Sequence, residues 1–371
     1  MILSSRTLVH YLLERGLVAP ETVVDGDYSA REMTRRNRNF RVLRGALPGL
    51  FVKQSADWEP FSTETLRREA TCYLLARDDP DFAALGEMMP RFVDFDAPHF
   101  ILTVELLPTA ETLADHLGRG DDVPRRVAER LGTLLGRYHR HAGSRARDAA
   151  RDSAFPRGLP WILNVMHHNP ASVGPVSAGN RALVEMLGRY PAFGPALDAV
   201  RDGWRRDALV HGDLKWENFL VLPSPAPDAP PELRIVDWEL ADFGDACWDV
   251  GSVFQAYLSS WLLSIPAAVP AGARPAELAT LPVERMQPAI HAFWAAYSGM
   301  LGLDAAGSAE RLRRSILFAA ARLIQTAWEY TVSTEHVPAN VLYLMQVAMN
   351  VLTRPDDAVR HLLGFEERLA A

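Results

Sequence analysis

A polar segment enclosed by apolar residues, LVHGDLKWENFLV at residues 209–221, constrains this chain more than any other stretch of its sequence. The apolar residues on each side are typical of two short buried strands. The enclosed residues include a histidine, two acids, a lysine and an asparagine, which are side chains that move protons and bind metals. A further strand is predicted at ELRIVDWEL, residues 232–240. Any fold of this chain must therefore hold a polar turn tightly between strands.

The residue types in this region suit a divalent metal bound to nucleotide phosphates. Magnesium prefers hard oxygen ligands and keeps several waters, so one carboxylate and one amide carbonyl suffice beside the phosphates. Asn218 and Asp237, nineteen residues further on, are of these types and lie at the ends of predicted paired strands. Asp213 can accept a proton from an attacking hydroxyl, and Lys215 can reach a transferred phosphate. The segment therefore predicts phosphoryl transfer rather than a polar surface turn.

The use of lysine supports this interpretation. The chain contains 37 arginines but only two lysines, Lys53 and Lys215. Wherever a generic positive charge suffices, this chain uses arginine. A retained ammonium therefore indicates a position that needs a compact point charge, which a planar guanidinium does not provide.

The pattern of apolar residues changes near Pro108, which divides the chain into two predicted lobes. The first, residues 1–108, reads as a small sheet with helices, and the second, residues 109–371, reads as mainly helical apart from the strands around the polar segment. These patterns predict an α+β fold. The elements predicted in the first lobe are a helix at 1–16, strands at 40–45 and 49–55 joined by a Pro48–Gly49 turn, a helix at 62–77 and a strand at 99–108.

Composition limits the partners and the location. A net charge of −7 argues against a nucleic-acid surface, which normally carries a basic patch. The two cysteines, Cys72 and Cys247, have no metal-ligand spacing and favour a reducing cytoplasm. The N-terminal segment lacks the basic region of a signal peptide, and the most apolar later stretch is interrupted by polar residues and prolines. We expect a cytoplasmic protein with no nucleic-acid or membrane partner.

Two segments together, HGDLKWENFLV and IVDWELADFGDACWDVG, resemble the aminoglycoside phosphotransferase family, which comprises kinase-like phosphotransferases. The loop His-x-Asp, four residues and Asn is a signature shared with protein kinases, whose Asp-Phe-Gly is replaced here by Asp-Trp-Glu. The resemblance extends over roughly residues 20–255. It implies a bilobal protein-kinase-like fold and an enzyme that uses ATP and Mg²⁺ to phosphorylate an alcohol group.

The resemblance assigns roles to residues of the polar segment and its surroundings. Asp213 corresponds to the catalytic aspartate, and Lys215, two residues later, is a further catalytic candidate because of its reach rather than because of the resemblance. Asn218 and Asp237 correspond to the magnesium ligands. The list is completed by two structural braces of the catalytic loop, His211 and Asp249.

The resemblance also implies a nucleotide site in the first lobe. Lys53 corresponds to the strand lysine that contacts the α- and β-phosphates, and Glu69 to the helix glutamate that positions it, with Glu64 as the alternative partner. The backbone groups of Glu105 and Leu107 correspond to the hinge that binds adenine. Both lysines of the chain then lie at phosphate-contacting positions, which supports the resemblance independently of the motif.

This sequence departs from the pattern in two places. No Gly-x-Gly-x-x-Gly loop precedes the strand of Lys53, and the corresponding residues 25–42 contain one glycine and five arginines. Three interpretations of the arginines in the loop at 31–41 are open: they contact phosphate, they bind an anionic partner, or they belong to a solvated loop. Lys215 is the second departure, because small-molecule relatives more often have histidine there and protein kinases have lysine.

Three functions remain as alternatives. The first is phosphorylation of a small molecule such as an aminoglycoside-like metabolite. The second is phosphorylation of Ser or Thr in a ribosomally made precursor peptide, from which a partner lyase later eliminates phosphate, as in lanthipeptide-type biosynthesis. The third is a non-catalytic pseudokinase that serves as a binding module. The complete set of Lys, Glu, Asp, Asn and Asp argues against the third, because a binding module need not keep it.

Overall fold

The computed structural model describes residues 1–33, 37–118, 124–142, 154–167, 177–223 and 231–365. These residues form two compact units. Unit 1 comprises residues 1–113, 154–155 and 218–241, and unit 2 comprises the remaining described residues. The predicted lobes are a nucleotide-binding lobe with the hinge, residues 1–108, and a catalytic and acceptor-binding lobe, residues 109–371, and this division stays a prediction.

The helices and strands follow one another along the chain in the order expected of an α+β protein. The helices are α1 (Leu8–Glu14), α2 (Pro20–Val24), α3 (Pro60–Asp78), α4 (Ala83–Gly86), α5 (Leu113–Gly118), α6 (Arg125–Ala142), α7 (Ala178–Arg189), α8 (Phe193–Asp202), α9 (Ala246–Leu263), α10 (Val283–Leu301), α11 (Ala305–Thr331), α12 (Ala339–Thr353) and α13 (Pro355–His361). The strands are β1 (Tyr28–Glu32), β2 (Arg38–Arg44), β3 (Leu47–Gln54), β4 (Phe92–Asp96), β5 (Ile101–Glu105), β6 (Glu111–Thr112), β7 (Ala208–Val210), β8 (Phe219–Leu222), β9 (Glu232–Ile235) and β10 (Asp242–Gly244).

Unit 1 is built on an antiparallel sheet with the strand order β1-β2-β3-β5-β4. Side chains alternate between the two faces of a strand, so neighbouring residues of the central strand β3 point in opposite directions. Leu50 and Val52 of β3 pack in a fully buried cluster with Leu8 and Leu12 of α1. Lys53, the next residue, therefore points to the opposite face, where its side chain meets α3.

The hairpin between β2 and β3 turns earlier than the sequence predicts. The turn lies at Gly45–Ala46, and Gly45 has a φ of +56° that favours glycine. Pro48 and Gly49 instead belong to β3, so the prediction of a Pro48–Gly49 turn is wrong. The first helix also begins at Leu8 rather than at residue 1, whereas the helix predicted at 62–77 is observed as α3.

A smaller sheet of unit 1, in the order β6-β8-β9, contains the end of the polar segment. Strands β8 and β9 pair in antiparallel register, with Phe219 opposite Ile235 and Leu222 opposite Glu232. This is the strand pairing expected for the residues that precede Asp237. The proline-rich sequence PSPAPDAPP at 223–231 predicts an exposed hairpin loop between these strands, and most of it, residues 224–230, lies outside the described residues.

Unit 2 is mainly helical and includes a short ladder in which Val210 of β7 pairs with Asp242 of β10. Helix α9 is buried along most of its length and packs closely against α11. Gly251 allows this close approach, because a Cβ atom there would lie 2.6 Å from the carbonyl oxygen of Ser315. The contact fixes α9 against α11, and both helices have polar side chains that reach the catalytic loop.

The antiparallel sheets of unit 1 and the helices of unit 2 confirm the α+β class. Both cysteines are buried and unbonded to each other. Among the helices of the described part of the chain, none has the length and apolar character needed to cross a bilayer.

Candidate active site

The ammonium of Lys53 is the centre of a buried polar cluster in unit 1. Its Nζ lies 2.6 Å from Glu69 Oε2 and 2.6 Å from Asp237 Oδ1. A third carboxylate oxygen, Oε2 of Glu239, lies 3.6 Å from the same nitrogen. Glu64, the alternative partner from the sequence, is exposed on α3. The strand lysine therefore meets Glu69 and the predicted metal ligand Asp237 at one point.

The backbone holds Asp237 in a conformation that few residues adopt. Asp237 has a φ of +69°, a region in which aspartate and asparagine are enriched among residues other than glycine. The preceding residue, Val236, donates its N–H to the carbonyl oxygen of Asn218 at 3.0 Å. The two predicted metal ligands thus lie side by side at the end of the β8–β9 ladder. Asn218 is buried, whereas the side chain of Asp237 is 37% exposed.

Burial and charge act in opposite directions on this cluster. Burial alone would lower the pKa of Lys53, but the carboxylates of Glu69, Asp237 and Glu239 outweigh it and raise the pKa above its usual value. Burial raises the pKa of Glu69 to about 7, against the lowering effect of Lys53. The lysine is therefore a permanent cation, and three carboxyl groups surround it.

The carboxylates around Lys53 offer oxygen donors of the kind that a divalent metal ion binds. Carboxylate oxygens of Glu69, Asp237 and Glu239 lie within 4.8 Å of one another, and hard oxygen donors are the ligands that magnesium prefers. Glu239 was missed in the sequence, although the signal was present, because Asp-Trp-Glu places an acid two residues after Asp237. Its carboxylate also accepts a hydrogen bond from Asn37 Nδ2 at 3.3 Å.

The two predicted adenine-binding residues lie at and just after the end of β5. The N–H of Glu105 donates to the carbonyl oxygen of Arg91 at 2.9 Å, and the carbonyl oxygen of Leu107 accepts from the N–H of Ala110 at 3.3 Å. These two bonds do not engage the carbonyl of Glu105 or the N–H of Leu107. Their role in binding adenine stays a prediction.

The arginine-rich segment is described in part. Arg31 of β1 and Arg41 of β2 are opposite each other in the antiparallel register. Arg35 and Arg36 lie outside the described residues, so the predicted contact of this loop with phosphate or a partner stays a prediction.

In unit 2, a buried aspartate organises the backbone of the catalytic loop. Both oxygens of Asp249 accept backbone N–H groups, from His211 at 2.8 Å and from Gly212 at 3.1 Å. His211 in turn accepts the N–H of Asp213 through Nδ1 at 3.2 Å, so its proton is on Nε2. His211 and Asp249 are both fully buried. These contacts are what loop braces make, and the assigned roles remain predictions.

The carboxylate of Asp213 lies between two cations. Its Oδ2 is 2.8 Å from Nζ of Lys215, and its Oδ1 is 3.0 Å from Nη2 of Arg322 on α11. Burial alone would raise the pKa of Asp213, but Arg322, Lys215 and His211 together lower it to about 2. Asp213 is therefore ionised throughout the physiological range, as a group that accepts a proton must be.

Arg322 is the main residue of this site that sequence reasoning missed. It lies 109 residues from Asp213 along the chain, in an apolar stretch of α11 whose periodicity gives no indication of the contact. The only available signal was an arginine within the apolar run LFAAARLI, where a charged side chain needs a partner.

The sequence matches the phosphotransferase enzyme family (APH) over residues 29–285, somewhat more than the region of the motif resemblance. No curated protein matches the chain significantly.

Two solved structures of similar fold cover most of the chain. Choline kinase from Cryptosporidium parvum superposes with a TM-score of 0.53 and 10% identity over 99% of this chain and 100% of its own. Amicoumacin kinase hAmiN, in complex with AMP-PNP, Ca²⁺ and Ami, superposes with a TM-score of 0.50 and 13% identity over 92% of each chain. At these identities the likeness concerns the fold alone. The family match covers more than half of the sequence, and the chain belongs to the phosphotransferase enzyme family.

Proposed function

We propose that this enzyme transfers the γ-phosphoryl group of ATP, in the presence of Mg²⁺, to the hydroxyl group of a small molecule. The observation that carries the proposal is the convergence of Glu69 and Asp237 on the ammonium of Lys53, each at 2.6 Å. A lysine fixed between a helix glutamate and an acid of the metal-ligand type is suited to holding nucleotide phosphates.

The residues of unit 2 supply the group that receives the proton. An ionised Asp213 accepts the proton of the acceptor hydroxyl while the hydroxyl oxygen forms a bond to the γ-phosphorus. The bond between that phosphorus and the bridging oxygen breaks, and ADP leaves with the electron pair. Lys215 has a side chain that is 43% exposed, so its ammonium can turn from Asp213 to the transferred phosphoryl group.

Asp237 and Asn218 are the residues that would hold magnesium, with Glu239 as a further candidate. A magnesium ion bound with ATP neutralises phosphate charge. The exposed carboxylate of Asp237 suits this role, because magnesium usually keeps several waters and binds few protein ligands.

The small-molecule acceptor is proposed by analogy of fold. Two structures of the same fold are a choline kinase and an amicoumacin kinase, which are enzymes named for small acceptors. The peptide alternative is supported by Lys215, which contacts Asp213 as the lysine of protein kinases is expected to do. In that alternative, a partner lyase would eliminate the phosphate from Ser or Thr.

Phosphate transfer from γ-labelled ATP tests the proposal. The enzyme is incubated with Mg²⁺ and separate panels of aminoglycosides, other hydroxylated metabolites and serine-containing peptides. We expect label on a small molecule, loss of transfer on chelation of the metal, and loss in Asp213→Asn, which preserves the shape of the side chain. Label on peptides alone would select the peptide alternative.

Two results contradict the proposal. One is equal transfer by the natural protein and by Asp213→Asn. The other is the absence of any ATP-dependent rise in melting temperature, which would favour a binding module of another kind. A Lys53→Met variant serves as the matched control for nucleotide binding, because it removes the ammonium and keeps most of the apolar stem.

A further inference from the structure

We propose that Arg322 is a positioning residue for Asp213, which holds one carboxylate oxygen in place so that the other remains directed to Lys215 and the acceptor. The inference rests on the proposed function in one respect only, the role of Asp213 as the group that accepts the hydroxyl proton. Arg322 acts through Asp213 and need not touch the acceptor.

The geometry divides the carboxylate between the two cations. Nη2 of Arg322 binds Oδ1 at 3.0 Å and Nζ of Lys215 binds Oδ2 at 2.8 Å. Rotation of the Asp213 side chain would break both contacts. The carboxylate is thus held at two points, which fixes the plane of the group that has to meet the acceptor hydroxyl.

The two cations differ in their freedom to move. The side chain of Lys215 is 43% exposed, whereas that of Arg322 is 4% exposed. The guanidinium carbon of Arg322 lies 5.8 Å from the ring centroid of Trp248, in the helix that also carries Asp249. Because Arg322 is confined and Lys215 is not, Arg322 can hold Asp213 while Lys215 turns to the phosphoryl group.

The burial of Arg322 lowers the stability of the fold, as is expected of a charged residue whose role is functional. Within the described residues, its Nε–H is buried and has no hydrogen-bond partner. An unmade hydrogen bond of a buried charged group destabilises a fold. Replacing both Arg322 and Asp213 by apolar residues of similar volume would remove this cost, so stability alone does not explain a buried pair of charges here.

The charges that face Asp213 define what removal of Arg322 does. They are Arg322 from α11 and Lys215 from the loop, which, with a smaller effect of His211, lower the pKa of Asp213 against the effect of burial. Without Arg322, the carboxylate keeps Lys215 as a close full charge. It then turns with the exposed lysine and becomes easier to protonate.

The lysine content of the chain allows a test that does not depend on an acceptor. Lysine labelled with ¹³C and ¹⁵N places only two labelled side chains in the protein, Lys53 and Lys215. In Arg322→Met we expect the Lys215 side-chain signals to shift and to gain mobility, while those of Lys53 stay unchanged. Asp213→Asn should change the Lys215 signals in the same way, and the double variant should add nothing to either single change.

Activity provides the second measurement. Phosphate transfer by Arg322→Met is expected to fall about tenfold to hundredfold, the effect of one hydrogen bond to a charged group. The acid limb of the rate profile should move to higher pH. Arg322→Lys should recover part of the rate, and added guanidinium should recover part of the rate of Arg322→Ala by filling the space left by the side chain.

A matched control removes another arginine from the same helix. Arg311→Met breaks the contact between Arg311 and Asp207, which measures 3.5 Å, and should alter neither the Lys215 signals nor the pH profile. Unchanged Lys215 signals in Arg322→Met would overturn the proposal. If Arg322→Met misfolds, the signals of both lysines change, and failure of added guanidinium to restore the Lys215 signals in Arg322→Ala overturns the proposal instead. Absence of phosphate transfer by the natural protein contradicts the proposed function, whereas the lysine signals still decide the role of Arg322.

Discussion

Lys53 and Asp237 are separated by 184 residues in the sequence, yet Nζ of the lysine lies 2.6 Å from Oδ1 of the aspartate. The central strand of one sheet and the end of the β8–β9 ladder are brought together by this contact. The same ammonium binds Glu69, so a single cation links a strand, a helix and the residue predicted to hold the metal. Loss of any member leaves a charge that burial makes costly.

Replacement of Lys53 should therefore destabilise the protein as well as abolish nucleotide use. In Lys53→Met the buried carboxylate of Glu69 loses its counter-charge, and we expect the free energy of unfolding to fall by about 3 kcal/mol. Urea denaturation at pH 7 measures this. In the double variant Lys53→Met/Glu69→Gln, the loss should be smaller than the sum of the two single losses, and strict additivity would contradict the coupling.

Helix α3 has two glutamates, Glu69 and Glu64, that allow a controlled test of which one is the partner of Lys53. Glu69 is buried against the lysine, whereas Glu64 is exposed one and a half turns earlier. We expect Glu69→Gln to weaken nucleotide binding and to lower the transfer rate by about tenfold or more, since a positioned charge is lost. Glu64→Gln should behave like the natural protein in both the binding titration and the rate measurement. Equal effects of the two substitutions would show that Glu69 does not position Lys53.

Local patterns predicted much of the fold, while long-range contacts lay beyond them. The strands around the polar segment and helix α3 follow from short runs of apolar residues. The hairpin turn was misplaced because Pro48–Gly49 is a strong turn signal, whereas a single glycine with positive φ at Gly45 makes the turn. The spacing of apolar residues also predicts one helix over residues 1–16, whereas only Leu8–Glu14 are helical and the residues before them are irregular.

The candidate site shows the same division between local and distant information. The resemblance named Lys53 and Glu69, and the structure brings them into contact. Arg322 comes from a helix more than a hundred residues later, and no local pattern in one sequence relates it to Asp213. Glu239 is intermediate, because its spacing from Asp237 was visible but its contact with the lysine cluster depends on the fold.

The brace of the catalytic loop is expected to contribute strongly to stability. Asp249→Ala leaves the buried N–H groups of His211 and Gly212 without their acceptors, and each unmade bond costs about 1–3 kcal/mol. Asp249→Asn should cost less, because its amide oxygen still accepts one of them. Ser252→Ala on the same helix removes only a hydroxyl bonded to the carbonyl of Trp248 and should cost about 1 kcal/mol. Urea denaturation of the three variants gives the order, and an Asp249→Ala variant as stable as Ser252→Ala would show that the brace is dispensable.

The two cations around Asp213 give its contribution to stability a defined pH dependence. Burial alone would raise the pKa of this carboxyl, but Arg322 and Lys215 lower it to about 2 from an ordinary value of 3.8. A carboxyl whose pKa is lowered on folding stabilises the protein above its unfolded pKa, and this contribution is lost as the pH falls through the folded value. The full contribution is about 2 kcal/mol at pH 7, and roughly half of it remains at pH 3.

We therefore expect the free energy of unfolding of Asp213→Asn, measured in urea, to be about 2 kcal/mol lower than that of the natural protein at pH 7. At pH 3 the difference should be about half as large. Glu64→Gln, which changes an exposed carboxyl, serves as the control for general effects of charge on acid unfolding. The decrease toward low pH is required by the sign of the shift, because protonation of Asp213 makes the natural side chain resemble the amide. A difference that grows as the pH falls would mean that the carboxyl is held by its burial rather than by Arg322 and Lys215.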